Sequence, residues 1–474
     1  MQVRVVQCSG EGKAAMSFQS EIRHYVVLKA TPELRENYNL KMKEWIGQRY
    51  IAPELGDPRL AKCFKVVALP SNDVDRFEGE REDTDAPQQL EELVVAVAIE
   101  SPEAAEEFES ASRRRQNFFI GSGADLPFSG VDHWCPREAS DPMFGNRADA
   151  ERLLEVAALR AEGNLTGEGV NVVIVDQGLD KKVLADRFGG GWRVGAKKPG
   201  ETASPRDTRP THAMMVAHNI LRVAPQVKFF DLPMVPERIT DVDRFFLNTA
   251  NAAYRRMVNY LKWRKARNEA EPWIVVNAWA IFDRSSEHPR GSYTDGPDHP
   301  FNKLVAEAAD LGVDIVFSAG NCGQFCPDMR CGALDQGPGQ SVFGANCHPK
   351  VLSVGAVRAD TMWLGYSSQG PGQPNFWPLG HDKPDLCAAS QFCDTDCAYT
   401  TNGGSSAACA LASGVIAALR TRPKWNPDVV SPEEMREILN KFARKTDGPS
   451  WNNRTGNGIL NAAKALSELA RRYP

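Results

Sequence analysis

Val172-Val173-Ile174-Val175-Asp176-Gln177-Gly178 is a run of β-branched apolar residues that stops at a carboxylate and a glycine. A short, continuous apolar run bounded by a turn signal predicts a strand buried on both faces. In open parallel sheets, functional side chains gather at the carboxyl ends of strands, so Asp176 is a candidate site residue. The plainer reading is an Asp that caps the turn before Gly178. The surrounding sequence repeats the rhythm. Val170–Val175 is followed by a helical pattern over 211–223, Val227–Leu232 by one over 241–267, and Ile274–Val276 by one over 301–311. Val313–Phe317, Leu352–Val357 and a helix over 405–420 complete the series. This alternation predicts an α/β fold, a parallel sheet with helices on both faces.

The region before it reads differently. Tyr25–Leu28, Phe64–Leu69 and Leu93–Ile99 are strand candidates, and Pro32 to Tyr50 has helical composition. Ser71 to Gln89 is polar and acidic, the composition of an exposed loop. Ser101-Pro102-Glu103 opens a helix with a cap, a Pro in the first turn and an acidic residue near the positive end of the dipole. Residues 1–120 therefore form a small N-terminal α+β domain. The Gly-, Pro-, Asp- and Ser-rich stretch 121–146 reads as a linker, and 147–474 as the main domain, beginning with a helix over 147–162.

Three further segments offer chemistry. Thr211-His212-Ala213-Met214 puts a histidine in the first turn of an apolar helix, where it is either a general base or simply part-buried. Ser318-Ala319-Gly320-Asn321 ends a buried strand in an amide that can donate to a developing oxyanion; otherwise Asn321 is a turn residue. Asn402-Gly403-Gly404-Ser405-Ser406 precedes a helix of small and apolar residues. Its glycines let backbone approach closely, and its N-terminus presents free N–H groups. Helix capping is the bland role for these serines, and Ser405 is the candidate for it.

Asp176, His212, Asn321 and Ser406 together, in this order and each in this local setting, resemble the subtilisin-like serine peptidases over residues 165–474. Leu165–Val170, Val351–Val357, Tyr366–Pro371, Lys383–Leu386 and Gly456–Ala462 resemble further segments of that family. The resemblance implies a serine endopeptidase. Ser406 would be the nucleophile, His212 its base, Asp176 the group orienting that base, and Asn321 with the Ser406 backbone N–H the oxyanion site. It also implies that the chain bearing Asn277, Ala278, Trp279 and Ala280 pairs with an extended substrate, with Ser318, Ala319 and Gly320 facing it. Many such enzymes carry a small α+β propeptide that blocks the cleft until cut. The N-terminal domain has a suitable size and element order, and the alternative is a permanently attached partner-binding domain. An inactive, peptide-binding relative is the competing function.

The sequence departs from the family pattern at Ala213-Met214-Met215 after the histidine, at Ala407-Ala408-Cys409-Ala410 after the serine, at Gln177 and at Ile281. None removes a group the chemistry needs, but each bears on substrate preference. No cofactor or metal is implied, and the family's calcium sites are not traceable.

Bulk properties set bounds. A 42 % hydrophobic, 25 % charged composition is that of a globular chain with a normal core. A net charge of -5 over 474 residues argues against nucleic-acid binding through a basic surface. No apolar run nears the ~18 residues of a membrane span. Residues 1–13 lack the apolar core of a secretory signal, which leads to the expectation of a cytoplasmic protein with a restricted protein or peptide substrate. Of the 11 cysteines, Cys322, Cys326, Cys331 and Cys347 crowd one segment, and Cys387, Cys393, Cys397 and Cys409 another. For the first group thiols, disulfides and a zinc site remain open. For the second, the reading is thiols near the serine loop.

Overall fold

In the computed structural model the described residues are 22–32, 43–69, 77–79, 92–126, 128–129, 143–161, 164–201, 211–236, 242–243, 246–267, 271–378, 380–394, 401–446, 448 and 450–474. The N-terminal strands are β1 (Ile22–Lys29), β2 (Phe64–Ala68), β3 (Phe77–Gly79), β4 (Glu92–Ile99) and β5 (Phe119–Ala124). All but β3 form an antiparallel sheet in the order β2-β4-β1-β5. β1 alternates its side chains. Val26 and Leu28 face a local core with Ile46, Ile51 and Phe108, while Tyr25 and Val27 face the main domain. The helix Pro102–Arg114 is capped as expected, with Ser101 accepting a bond from the Ala104 N–H at 3.1 Å.

Several boundaries differ from the sequence reading. β5 carries the N-terminal sheet to Ala124, four residues into the stretch read as a linker, and β6 (Phe128–Ser129) follows it. Residues 130–142 of that stretch lie outside the described residues, as do 33–42 of the first helix. Within the polar 71–89 stretch, read as a loop, β3 is a strand that joins the main sheet. The helix expected over 147–162 is two, Arg147–Leu153 and Ala157–Ala161, broken near Glu155, whose φ is +58°.

The main sheet holds β7 (Asn171–Val175), β8 (Phe188–Trp192), β9 (Lys228–Leu232), β11 (Trp273–Asn277), β12 (Asp314–Ser318), β13 (Leu352–Val357) and β14 (Leu386–Ala389), with β10 (Val242–Asp243) outside it. Its order is β14-β13-β12-β11-β7-β9-β8-β3, seven parallel strands with β3 antiparallel at the edge. β8 had no apolar run to announce it. Its glycines are there for close approach: a Cβ on Gly189 would lie 2.7 Å from the Phe230 ring, and one on Gly191 2.3 Å from the Asp231 carbonyl.

Val172 and Ile174 face one core, Val173 and Val175 the other. The first holds the helices His212–Val223 and Gly404–Arg420. They touch at Gly414, where a Cβ would lie 2.9 Å from the Val223 Cβ. The second holds the helices Phe246–Ala266 and Pro300–Asp310, with the N-terminal sheet laid over them. Among the described residues no helix is long and apolar enough to cross a membrane.

Candidate active site

From β7 the chain runs to β8 and β9 on one side and to β11–β14 on the other. The strand order therefore reverses at the β7/β11 crevice, where open parallel sheets place their sites. Asp176 follows β7 there and is 2 % exposed. Its Oδ1 accepts the Gln177 N–H at 2.7 Å, and its Oδ2 lies 2.7 Å from Nδ1 of His212. That partner fixes the histidine with Nδ1 protonated and Nε2 as the free acceptor. Thr211 caps the helix by accepting from the Met214 N–H, which sets His212 at its first position. Nε2 of His212 is buried without a hydrogen-bond partner among the described residues.

Ser406 sits in the first turn of the Gly404–Arg420 helix, 5 % exposed. Its hydroxyl donates to the Ala278 carbonyl at 3.0 Å, so no hydrogen bond joins it to His212 in this state. Asn321 is brought to the same place from the end of β12. Its Oδ1 accepts from the Ser405 N–H at 2.9 Å and from the Ser405 hydroxyl at 3.0 Å. With the oxygen committed, the amide NH2 is the end left to serve a ligand. Ser405 is therefore not a cap: Gly403 holds that position, and the Ser405 hydroxyl also receives the Gly320 N–H at 3.1 Å. Sequence reasoning missed this tie, although the adjacency of Ser405 to Ser406 was its only available signal.

The residues expected to face substrate are all buried at the ends of β11 and β12. Asn277 turns its side chain into the core, bonded to the Tyr254 hydroxyl and, at 3.4 Å, to the carbonyls of Val275 and Val316. The Trp279 ring packs on Phe246, Phe301 and Phe317. Its carbonyl accepts from Asn346 at 3.1 Å and from the Ser318 hydroxyl at 3.4 Å. Asn346 also donates to the Ser318 carbonyl at 2.8 Å, tying the two segments together. No sequence signal singled it out. Ala280 packs with Phe282 against Cys322 and Cys331. Gly320, at φ +107°, leaves room that a Cβ would take within 2.7 Å of the Ser368 hydroxyl.

Cys322 and Cys331 form a disulfide, which removes the thiol and zinc readings for that pair. Cys347 is a buried thiol pushed up to about 12 by burial. In the second cluster, Cys387 and Cys409 are thiols raised by burial and therefore unreactive. Cys393 is disulfide-bonded, contrary to the thiol expectation, and Cys397 lies outside the described residues.

Residues 167–458 match the model of the subtilase family. The chain belongs to the subtilase family. As a subtilase it is a serine peptidase, with proteins or peptides as substrates. Solved structures similar to this subtilase include MycP1 from the ESX-1 type VII secretion system, at 18 % identity and TM-score 0.47, covering 72 % of this chain and 91 % of that one. MycP1 from Mycobacterium smegmatis matches at 18 % identity and TM-score 0.47, covering 72 % and 90 %. No curated protein sequence matches.

Proposed function

We propose that the protein is a serine endopeptidase working through Asp176, His212 and Ser406 by way of an acyl-enzyme. The observation that carries this reading is the buried Asp176–His212 pair at 2.7 Å, with the imidazole's other nitrogen left without a hydrogen-bond partner among the described residues. Turning the Ser406 hydroxyl from the Ala278 carbonyl toward Nε2 completes the relay. Its oxygen attacks the scissile carbonyl as His212 takes the proton, and Asp176 stabilises the imidazolium. His212 returns the proton to the leaving amine. Water then repeats the sequence to release the acid. The Asn321 NH2, held by Ser405, and the Ser406 backbone N–H serve the oxyanion.

The same reading assigns the N-terminal domain as an intramolecular inhibitor. Its support is the course of the chain: beyond β5, β6 pairs antiparallel with β10 (Val242↔Ser129, Asp243↔Phe128). β10 leads into the helix whose Phe246 lies 5.1 Å from the Trp279 ring. Cleavage then falls within 121–146. A cytoplasmic location with a restricted substrate remains part of the proposal, and the Cys322–Cys331 disulfide is the observation that opposes it.

The second reading, a peptide-binding subtilase without turnover, is favoured by the Ser406–Ala278 bond alone. Incubating an unfolded protein with the wild type and with Ser406→Ala separates the two. New peptide ends from the wild type only, as isolated or after brief exposure to about pH 5 to release the N-terminal domain, support the peptidase; none from either protein under both conditions supports the binder.

A further inference from the structure

Asp231 lies on β9 next to β7 and has no part in the relay described above. It is fully buried, and the strand register sets it beside Ile174, two residues before Asp176. Its Oδ2 accepts two backbone N–H groups, from Leu179 at 3.0 Å and from Gly200 at 2.8 Å. Leu179 is three residues beyond Asp176. Gly200 belongs to the segment that pairs with the next turn, where its carbonyl takes the Lys181 N–H at 3.1 Å and Glu201 bridges to Asp180. One carboxyl oxygen thus closes both backbone segments that follow Asp176. The other, Oδ1, is buried without a hydrogen-bond partner among the described residues. A buried carboxyl with an idle oxygen costs stability that an apolar residue in this strand would not. Gly191 on β8 lies too close to the Asp231 backbone to carry a side chain, so the two strands meet tightly here.

We propose that Asp231 is a positioning residue for Asp176, holding the turn after it so that the Asp176 carboxylate faces His212. The inference rests on the triad reading given above.

The charged groups acting on Asp231 are Asp176, at the end of β7, and Lys197, whose ammonium also donates to the Val235 carbonyl at 2.5 Å. Val235 in turn donates its N–H to the Asp176 carbonyl at 3.0 Å, so all three belong to one network. Burial, opposed by the Gly200 and Leu179 N–H groups and reinforced by Asp176, raises the Asp231 carboxyl to about 7. Asp231 therefore changes charge near neutrality. Ionised, it adds negative potential on the Asp176 side of the imidazole and favours the cation. The acid limb of activity then carries the Asp231 ionisation.

The test is the rate at which a fluorophosphonate labels Ser406 in the full chain, allowed to process itself, between about pH 5 and pH 9. Asp231→Asn keeps an acceptor for both N–H groups but no charge. It should label near the wild-type maximum, with the acid limb of the profile moved to lower pH. Asp231→Leu removes the acceptor and should label about 10²-fold more slowly at every pH, as expected for a misplaced base. A wild-type pH profile in Asp231→Asn, or a wild-type rate in Asp231→Leu, overturns the proposal. Should Asp231→Leu fail to fold, the Asn variant decides alone. No labelling of the wild type, or equal labelling of Ser406→Ala, overturns the triad reading instead.

Discussion

The two faces of the main sheet are built from different materials. One packs the His212–Val223 and Gly404–Arg420 helices with Ala, Gly and Ser, close enough that Gly414 meets Val223. The other packs Trp279, Tyr254, Phe301 and Phe317 and carries an entire second sheet on top of its helices. Small residues bring backbones together, which sets His212 and Ser406 near one crevice. Large aromatic residues make a broad apolar platform, which the N-terminal sheet covers. The first face is fitted for chemistry and the second for attachment.

Changes at the crevice should cost the most. Asp176→Asn keeps the shape but offers the wrong partner to Nδ1, and kcat should fall about 10⁴-fold with the fold intact. Steady-state assay beside a thermal melt checks both halves of that statement. Asn321→Ala removes its two ties to Ser405 and should lower kcat by about 10²–10³ with little change in KM, because the bond to the oxyanion forms only as charge develops. A matching rise in KM would place Asn321 in ordinary substrate binding instead.

Changes within the helix packing should act on stability rather than on rate. Gly414→Leu forces a side chain into space occupied by Val223 and Ile220. Such overpacking costs about 1–3 kcal/mol, which is read from urea unfolding. A neutral outcome would mean that the two helices separate easily, and the argument from close approach would fail.

The attachment face gives the mildest effects. His299 caps the Pro300–Asp310 helix, and the Tyr25 hydroxyl lies 3.1 Å from its ring. A Cβ on Gly123 of β5 would come within 2.3 Å of that ring. Gly123→Ala should therefore loosen the N-terminal domain and raise the activity of unprocessed chain on a small peptide. Acid should do the same. Burial lowers the His299 pKa to about 3 in the attached state. Release removes the part of that burial due to Tyr25 and β5, so the ring binds a proton at higher pH and lowering the pH favours release. Between neutrality and about pH 5 the gain should be on the order of tenfold. Histidine 299 replaced as His299→Gln should flatten that dependence. Pull-down of a tagged N-terminal fragment after processing reads it directly.

What the sequence disclosed follows the same division. β7, β12, the His212 helix and the serine helix were legible because each pairs an apolar run with a chemical residue at its end. β1, β2 and β4 were legible too, but not β5, which received no strand reading, or the use of β3 as a sheet edge. Both pairings depend on partners distant in the chain. β8 was hidden because its glycines serve contact with Phe230 and Asp231, and strand propensity says nothing of such contacts. Ser405 looked like a cap, since hydroxyl capping is a local rule, whereas its bond to Asn321 joins two elements. Asp231 gave no sign at all, being one polar residue within an apolar strand.

The central claim is that Ser406 is an activated nucleophile. A fluorophosphonate should add once to the wild-type chain, at Ser406 by peptide mapping, either as isolated or after brief exposure to about pH 5 to release the N-terminal domain. The adduct should vanish in Ser406→Ala. No adduct under either condition, or an adduct that survives Ser406→Ala, would contradict the account.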